Sequence, residues 1–203
     1  NATGSGKTLL MHVNFLQFKH YAGQSRFKDE LTRTVLITPN EGLSKQHQRE
    51  LKISSIISER LLTDTGDLLS TGKSGLRQVD YTEVSKLKDK DGPNTIAVRN
   101  LGSNNLVLVD EAHNGLRSAT GKIDGKEEAV WVRHRNSLSE KGFVFEYSAT
   151  LKEAVANATD FIKQQYSKSI IFDYSYRYFY EDGYGKDYRI FNLPKTYNEL
   201  KFS

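Results

Sequence analysis

The first eight residues, NATGSGKT, have the composition of a phosphate-binding loop. They match the pattern G-x-x-x-x-G-K-[ST], except that Asn1 stands where the first glycine is usual. Glycine lets backbone N–H groups approach phosphate oxygens, Lys7 can place its charge between the β- and γ-phosphates, and the Thr8 hydroxyl can bind Mg²⁺. The alternative is a Gly-Ser turn ahead of an ordinary helix. The loop interpretation assigns nucleotide binding to Thr3, Gly4, Ser5, Gly6, Lys7 and Thr8.

A pair of carboxylates follows the apolar segment LVLV. Asp110 emerges where a buried strand would end, and there it can bind Mg²⁺ directly or through water. Glu111 points to another side, because successive strand residues alternate, and it could deprotonate the attacking water. An acidic strand-to-loop turn would explain these residues without chemistry, but the phosphate loop earlier in the chain favours phosphoanhydride hydrolysis. His113 on the same turn could hydrogen-bond to Ser148 or Thr150.

Segments of strand periodicity alternate with segments of helical periodicity, which predicts an α/β fold with a mostly parallel sheet between two helical layers. Ligands bind to such sheets at the carboxyl ends of the strands. Three segments end there, TPN at 38–40, DEAH at 110–113 and SAT at 148–150, so we expect them to meet beside the phosphate loop. We predict helices over 7–21, 41–60, 129–139 and 151–166, and strands over 33–39, 106–110 and 142–148, with shorter strands within 78–87 and 94–98.

Apolar and aromatic residues occupy every second position from Ile170 to Tyr180, which predicts a strand with one aromatic face. The segments EDGYGKD and YRIFNL supply a turn and a return strand, so we expect a C-terminal aromatic β-hairpin. Its tyrosines could stack on nucleic-acid bases, but packing is the commoner use of such a face. The basic run Arg133, His134 and Arg135 is likewise expected to form a solvated helix face rather than a phosphate contact.

The length of the chain suits one sizeable α/β domain, or one large domain with an appendage. The chain has 203 residues and a net charge of +4, which favours an anionic partner only weakly. Without cysteine it can form neither disulfides nor thiolate metal sites, and it contains no apolar run of the length that crosses a bilayer. We expect a cytoplasmic protein with no membrane contact.

Four short segments together carry a family resemblance. ATGSGKT at 2–8, LITPN at 36–40, VDEAH at 109–113 and YSATL at 147–151 resemble, in this order, motifs I, Ia, II and III of superfamily 2 helicases and translocases of the DEAH type. Within that superfamily, KGFVFEYSATL and DYSYRYFYEDGYGKDY resemble the ATPase subunit of type III restriction enzymes. The resemblance implies a RecA-like first lobe over 1–166 and a strand or hairpin extension over 167–203 that leads to a second lobe.

The resemblance also implies a function for these segments. It implies that Lys7 and Thr8 bind ATP and Mg²⁺. It also implies that Asp110 binds the metal ion and that Glu111 activates the attacking water. It implies that Thr38, Pro39 and Asn40 touch the nucleic-acid backbone, and that Ser148 and Thr150 link hydrolysis to movement. The expected partner is nucleic acid, with double-stranded DNA preferred, and nuclease or specificity domains are expected outside this chain.

Two features of the family have no counterpart in the sequence: the strand before the phosphate loop, and the second lobe with its arginine finger. We therefore expect a fragment whose sheet lacks its first strand and which alone hydrolyses ATP poorly. Two other functions stay open, a P-loop phosphotransferase and a nucleotide-gated nucleic-acid-binding module without turnover. A carboxylate that activates water argues against the first, and intact Lys7, Asp110 and Glu111 argue against the second.

Overall fold

The computed structural model describes residues 6–25, 30–62, 73–114, 130–150, 155–156 and 160–185. Its centre is a five-stranded sheet in which every pairing is parallel, with the order β2-β3-β1-β6-β7. This confirms the predicted α/β fold. The strands of this sheet are β1 (Arg33–Thr38), β2 (Ser58–Arg60), β3 (Val79–Glu83), β6 (Asn105–Val109) and β7 (Phe143–Glu146); β4 (Leu87–Lys88) and β5 (Ile96–Ala97) form a separate two-stranded sheet.

Helices cover both faces of the large sheet. Alternate residues of β1 and β6 point to opposite faces, and every residue of these strands is buried. One face packs against α1 through Met11 and Phe15 and against α2 through Leu51. The other face packs against α3 through Leu138. The described helices are α1 (Lys7–Gly23), α2 (Glu41–Ile53), α3 (Val130–Ser139), α4 (Asp160–Ser167) and α5 (Tyr176–Glu181), and none combines the length and apolar character needed to cross a bilayer.

The helix predicted over 41–60 is too long. It ends at Ile53, and the chain then turns into β2. Ser55 adopts a left-handed conformation with φ 56°, and its N–H donates to the Lys52 carbonyl at 3.0 Å. This is the usual geometry of a helix C-terminus, but glycine is the residue that normally signals it. Because this position holds a serine, no residue type indicated that the helix ends there, and the prediction extended it to residue 60.

The basic run on α3 is not a solvated face. The Arg135 side chain is 4% exposed, and its guanidinium pairs with Glu146 at the end of β7 and donates to the Tyr166 hydroxyl of α4 at 2.9 Å. Burial and the Glu146 carboxylate raise the pKa of Tyr166. His134 is buried as well and contacts Asp89, so Arg133 alone of the three is exposed. The prediction of a solvated face was wrong because it treated the charged side chains of α3 as independent of the rest of the fold. Arg135 instead joins α3 to β7 and α4 through its contacts with Glu146 and Tyr166.

The C-terminal hairpin is not confirmed. Residues predicted as its first strand include helix α5, and its return strand lies in the segment 186–203, outside the described residues. Helical spacing brings Tyr176 close to Tyr180, with ring centroids 6.3 Å apart, and an ion pair joins Arg177 to Glu181. A strand gains its stability from a paired neighbour, whereas these contacts form within one short segment.

Candidate nucleotide site

The DEAH turn, residues 110–113, is held at the carboxyl edge of the sheet by backbone hydrogen bonds. Asp110 N–H donates to the Ile37 carbonyl at 3.0 Å, and Ala112 N–H donates to the Tyr147 carbonyl at 3.0 Å. Tyr147 N–H in turn donates to the Val109 carbonyl at 2.9 Å. The ends of β1, β6 and β7 therefore meet at this turn, as their positions in the sequence predicted.

Helix α1 begins at the same edge. Gly6 precedes it with φ 81°, a conformation that glycine adopts without steric cost, and its carbonyl accepts the N–H of Leu10 at 3.0 Å. The first turn of this 17-residue helix contains no acidic side chain. Its N–H groups and dipole therefore favour an anion such as a phosphate. Thr3, Gly4 and Ser5 of the predicted loop lie outside the described residues, whereas Gly6, Lys7 and Thr8 lie within them.

Glu111 joins the start of α1 to the DEAH turn. Lys7 Nζ donates to Glu111 Oε1 at 2.9 Å, and Glu111 Oε2 lies 3.2 Å from His113 Nδ1. The side chains of Lys7 and Glu111 are only 12% and 24% exposed, so water screens this ion pair weakly. Glu111 also has φ 51°, a left-handed conformation that costs a residue with a side chain about 1–2 kcal/mol. This conformation, rather than the alternation along a strand, turns Glu111 away from Asp110.

Asp110 is held from two sides. Its Oδ2 accepts a hydrogen bond from His47 Nε2 at 2.9 Å, and its Oδ1 accepts the N–H of Glu111 at 3.0 Å. The residue is 7% exposed, so the carboxylate is fixed inside the protein rather than mobile in solvent. His47 lies on α2, and sequence reasoning missed it. A lone histidine on an amphipathic helix gives no signal that it reaches a carboxylate 63 residues later in the chain.

His113 contacts the segment after β7. Its Nδ1 lies 3.0 Å from Ser148 Oγ, and the same Oγ accepts the N–H of Thr150 at 3.2 Å. Tyr147, the residue before Ser148, accepts a hydrogen bond from Asn14 of α1 through its hydroxyl at 2.9 Å, and burial raises the pKa of Tyr147 to about 12. The three residues that we predict to act in coupling, His113, Ser148 and Thr150, are thus brought together.

The segment Thr38, Pro39 and Asn40 forms the turn into α2. The Thr38 hydroxyl is buried, 2.6 Å from Ser44 Oγ. The exposed Asn40 caps α2, because its side-chain oxygen accepts the N–H of Leu43 at 3.0 Å. The Thr38 side chain thus supports the turn from inside, whereas the Asn40 side chain faces solvent.

The residues at this edge suit Mg²⁺ in chemical type. The Thr8 hydroxyl and the Asp110 carboxylate are hard oxygen ligands, and Mg²⁺ is commonly held by one or two protein oxygens together with substrate phosphates. Among the described residues there is no cluster of three or more histidine or acidic side chains that could hold a metal by itself. Such a cluster is unnecessary where phosphates supply the other ligands.

The parallel sheet, the glycine-lysine-threonine start of α1 and the acidic turn after β6 define a RecA-like lobe. The family described as type III restriction enzyme, res subunit, matches residues 1–153. The chain belongs to this family, which confirms the resemblance seen in the motifs. At the level of the family it is an ATP-dependent, helicase-like motor domain that acts on nucleic acid. No curated protein matches the chain.

Proposed function

We propose that this chain is the ATP-hydrolysing lobe of a DEAH-type translocase that moves on double-stranded DNA, within a restriction or defence enzyme of the cytoplasm. The observation that carries the proposal is a continuous line of side-chain contacts. It runs from Lys7 through Glu111 and His113 to Ser148. The line joins the start of α1, the DEAH turn and the end of β7, which are the three parts that a nucleotide-driven motor must couple.

In this proposal Lys7 exchanges one anion for another. It now pairs with the Glu111 carboxylate, and on nucleotide binding it would pair with the β- and γ-phosphates instead. Glu111 is then free to accept a proton from water as the water oxygen attacks the γ-phosphorus and the bond to the β–γ bridging oxygen breaks, releasing ADP and phosphate. Mg²⁺, held by Thr8 and Asp110, would neutralise charge on the phosphate oxygens.

The coupling step uses the second contact of Glu111. When Lys7 leaves, the charge beside His113 changes, because Glu111 Oε2 lies 3.2 Å from its Nδ1. His113 also contacts Ser148, whose hydroxyl accepts the N–H of Thr150. A shift in the carboxylate can therefore move the segment after β7. We propose that this segment leads through 167–203 to the second lobe, with 1–166 as the first lobe.

The DNA contact is proposed for the turn before α2. Pro39 and Asn40 lie at the carboxyl edge, and the exposed Asn40 side chain is of a type that donates to backbone phosphate oxygens. The charge of +4 is too small to argue for a nucleic acid without this geometry. The choice of duplex DNA rests on the restriction-type family and is the part of the proposal that the next experiment tests.

The test is steady-state phosphate release by the full-length protein that contains this lobe, with no polymer, duplex DNA, single-stranded DNA or RNA. We expect duplex DNA to stimulate hydrolysis and Lys7→Ala to abolish both nucleotide binding and hydrolysis. Lys19→Ala removes the same charge from an exposed position on α1 and serves as the matched control. Stimulation by RNA alone would keep the motor and overturn the DNA assignment.

A binding module without turnover is the second candidate, because Glu111 neutralises Lys7 in the structure. Nucleotide binding without hydrolysis under any of the four conditions, with or without polymer, would favour it. Transfer of phosphate to a small molecule, with no response to polymers, would instead favour a phosphotransferase.

A further inference from the structure

His47 is a buried histidine whose polar contact is with the proposed metal carboxylate. It is 2% exposed, and its Nε2 lies 2.9 Å from Asp110 Oδ2. Its other ring nitrogen, Nδ1, is also buried and has no hydrogen-bond partner among the described residues. Within the part of the chain that the structure describes, the hydrogen bond of this side chain is thus directed at Asp110.

The contact determines which nitrogen carries the hydrogen. An ionised carboxylate only accepts hydrogen bonds, so the Nε2 of His47 must donate to Asp110 Oδ2. The Glu111 N–H donates to the opposite oxygen at 3.0 Å. One donor on each oxygen fixes the rotation of the carboxylate about its Cβ–Cγ bond. A carboxylate has about four lone-pair sites in all, so two remain for a ligand.

We propose that His47 is a positioning residue that holds the Asp110 carboxylate in the orientation needed to bind magnesium nucleotide. The inference rests on the proposed function, since Asp110 is a metal ligand only there. Outer-shell hydrogen bonds of this kind orient metal ligands, and their loss commonly weakens metal affinity by about 10–100-fold. The rival explanation is that His47 only fastens α2 to the end of β6.

The two explanations differ in their dependence on Mg²⁺. A positioning role affects the metal-dependent part of nucleotide binding, whereas a fastening role would weaken binding with and without metal. The probe is N-methylanthraniloyl-ADP, whose fluorescence is followed during titration with MgCl₂ and, separately, in EDTA. His47→Phe keeps a buried ring and removes the donor. His12→Phe is the matched control, because His12 is also a buried histidine on this face but contacts Ser54 instead.

We expect His47→Phe to raise the Mg²⁺ concentration at half-saturation by about 10–100-fold, while the affinity in EDTA stays within about twofold. His12→Phe should leave both values near those of the wild type. Should His47→Phe not fold, two polar variants carry the same test. The amide of His47→Gln reaches the position of Nε2 and should restore the wild-type Mg²⁺ dependence, whereas the shorter His47→Asn should not.

An unchanged Mg²⁺ dependence in His47→Phe, or an equal loss of affinity with and without Mg²⁺, would overturn the positioning role alone. A wild-type protein that binds no nucleotide under either condition would overturn the proposed function, and the positioning role with it. Nucleotide binding by the wild type therefore distinguishes a failure of the positioning role from a failure of the proposed function.

Discussion

Glu111→Gln tests the central contact of the site, because it should strengthen nucleotide binding while removing hydrolysis. The carboxylate now competes with phosphate for Lys7, at 2.9 Å and with little exposure of either side chain. In Glu111→Gln the amide oxygen can still accept from the Lys7 ammonium, so the attraction between opposite charges is what is lost, and it contributes about 1 kcal/mol. The substitution therefore lowers the cost of releasing Lys7 by about 1 kcal/mol, which corresponds to roughly fivefold tighter binding.

The assay measures binding and turnover separately. Binding is followed with AMP-PNP, which resists hydrolysis, and turnover by phosphate release. We expect the rate to fall by about 10²–10⁴-fold, which is the usual contribution of a general base. Glu140→Gln removes an acid from an exposed position and should change neither value.

The two results refute different parts of the reasoning. Hydrolysis at the wild-type rate in Glu111→Gln would show that another group activates water. Binding of AMP-PNP that is unchanged or weaker would show that Glu111 does not compete with phosphate for Lys7, whatever happens to turnover.

Three further predictions concern stability, followed by urea unfolding. Arg135→Met should lower the free energy of unfolding by about 3 kcal/mol, the low end for a broken buried pair, because the Glu146 side chain is 14% exposed and keeps the Tyr166 hydroxyl as a donor. The exposed Arg133→Met should cost less than about 1 kcal/mol. Gly142→Ala should destabilise the protein strongly, since the added Cβ would collide with the backbone at the start of β6. Because burial raises the pKa of Tyr147 from 10.0 to about 12, the unfolded state loses its proton first and stability should fall between pH 10 and 12, less so in Tyr147→Phe.

Each of these stability predictions has an outcome that would contradict it. If Arg135→Met and Arg133→Met lowered the free energy of unfolding equally, the contacts of Arg135 with Glu146 and Tyr166 would contribute no more to stability than an exposed ion pair does. Gly23→Ala places a Cβ in open space and is the control for Gly142→Ala; similar stability of both would contradict the close approach of the backbone. If stability fell between pH 10 and 12 as much in Tyr147→Phe as in the wild type, groups other than Tyr147 would cause the loss of stability.

Parts of the site were predictable because they depend on short segments. The phosphate loop and the DEAH turn each require a local order of residue types, so Lys7, Asp110 and Glu111 could be named without coordinates. We expected a hydrogen bond between His113 and Ser148 because parallel strands end at one edge of the sheet. In the structure His113 Nδ1 lies 3.0 Å from Ser148 Oγ. The roles of these residues in catalysis and coupling stay predictions.

Other features could not be read from local patterns. The aromatic alternation near Tyr176 fits a strand or a short helix equally well, because the choice depends on whether a neighbouring strand is present to pair with it. Helix α2 ends at Ile53, and the left-handed residue beyond its end is Ser55, at a position where glycine is the usual signal. In both cases the local pattern was compatible with two conformations and did not select between them.

The sequence by itself determined the α/β class, the parallel sheet and the types of residue at its carboxyl edge, because apolar periodicity and the two motifs are local properties of the chain. The tertiary structure alone decided which side chains meet. It brought His47 to Asp110 and Lys7 to Glu111, and it buried Arg135 beside Glu146. These pairs are separated in the chain, so their contact depends on packing distances and burial that no local pattern encodes.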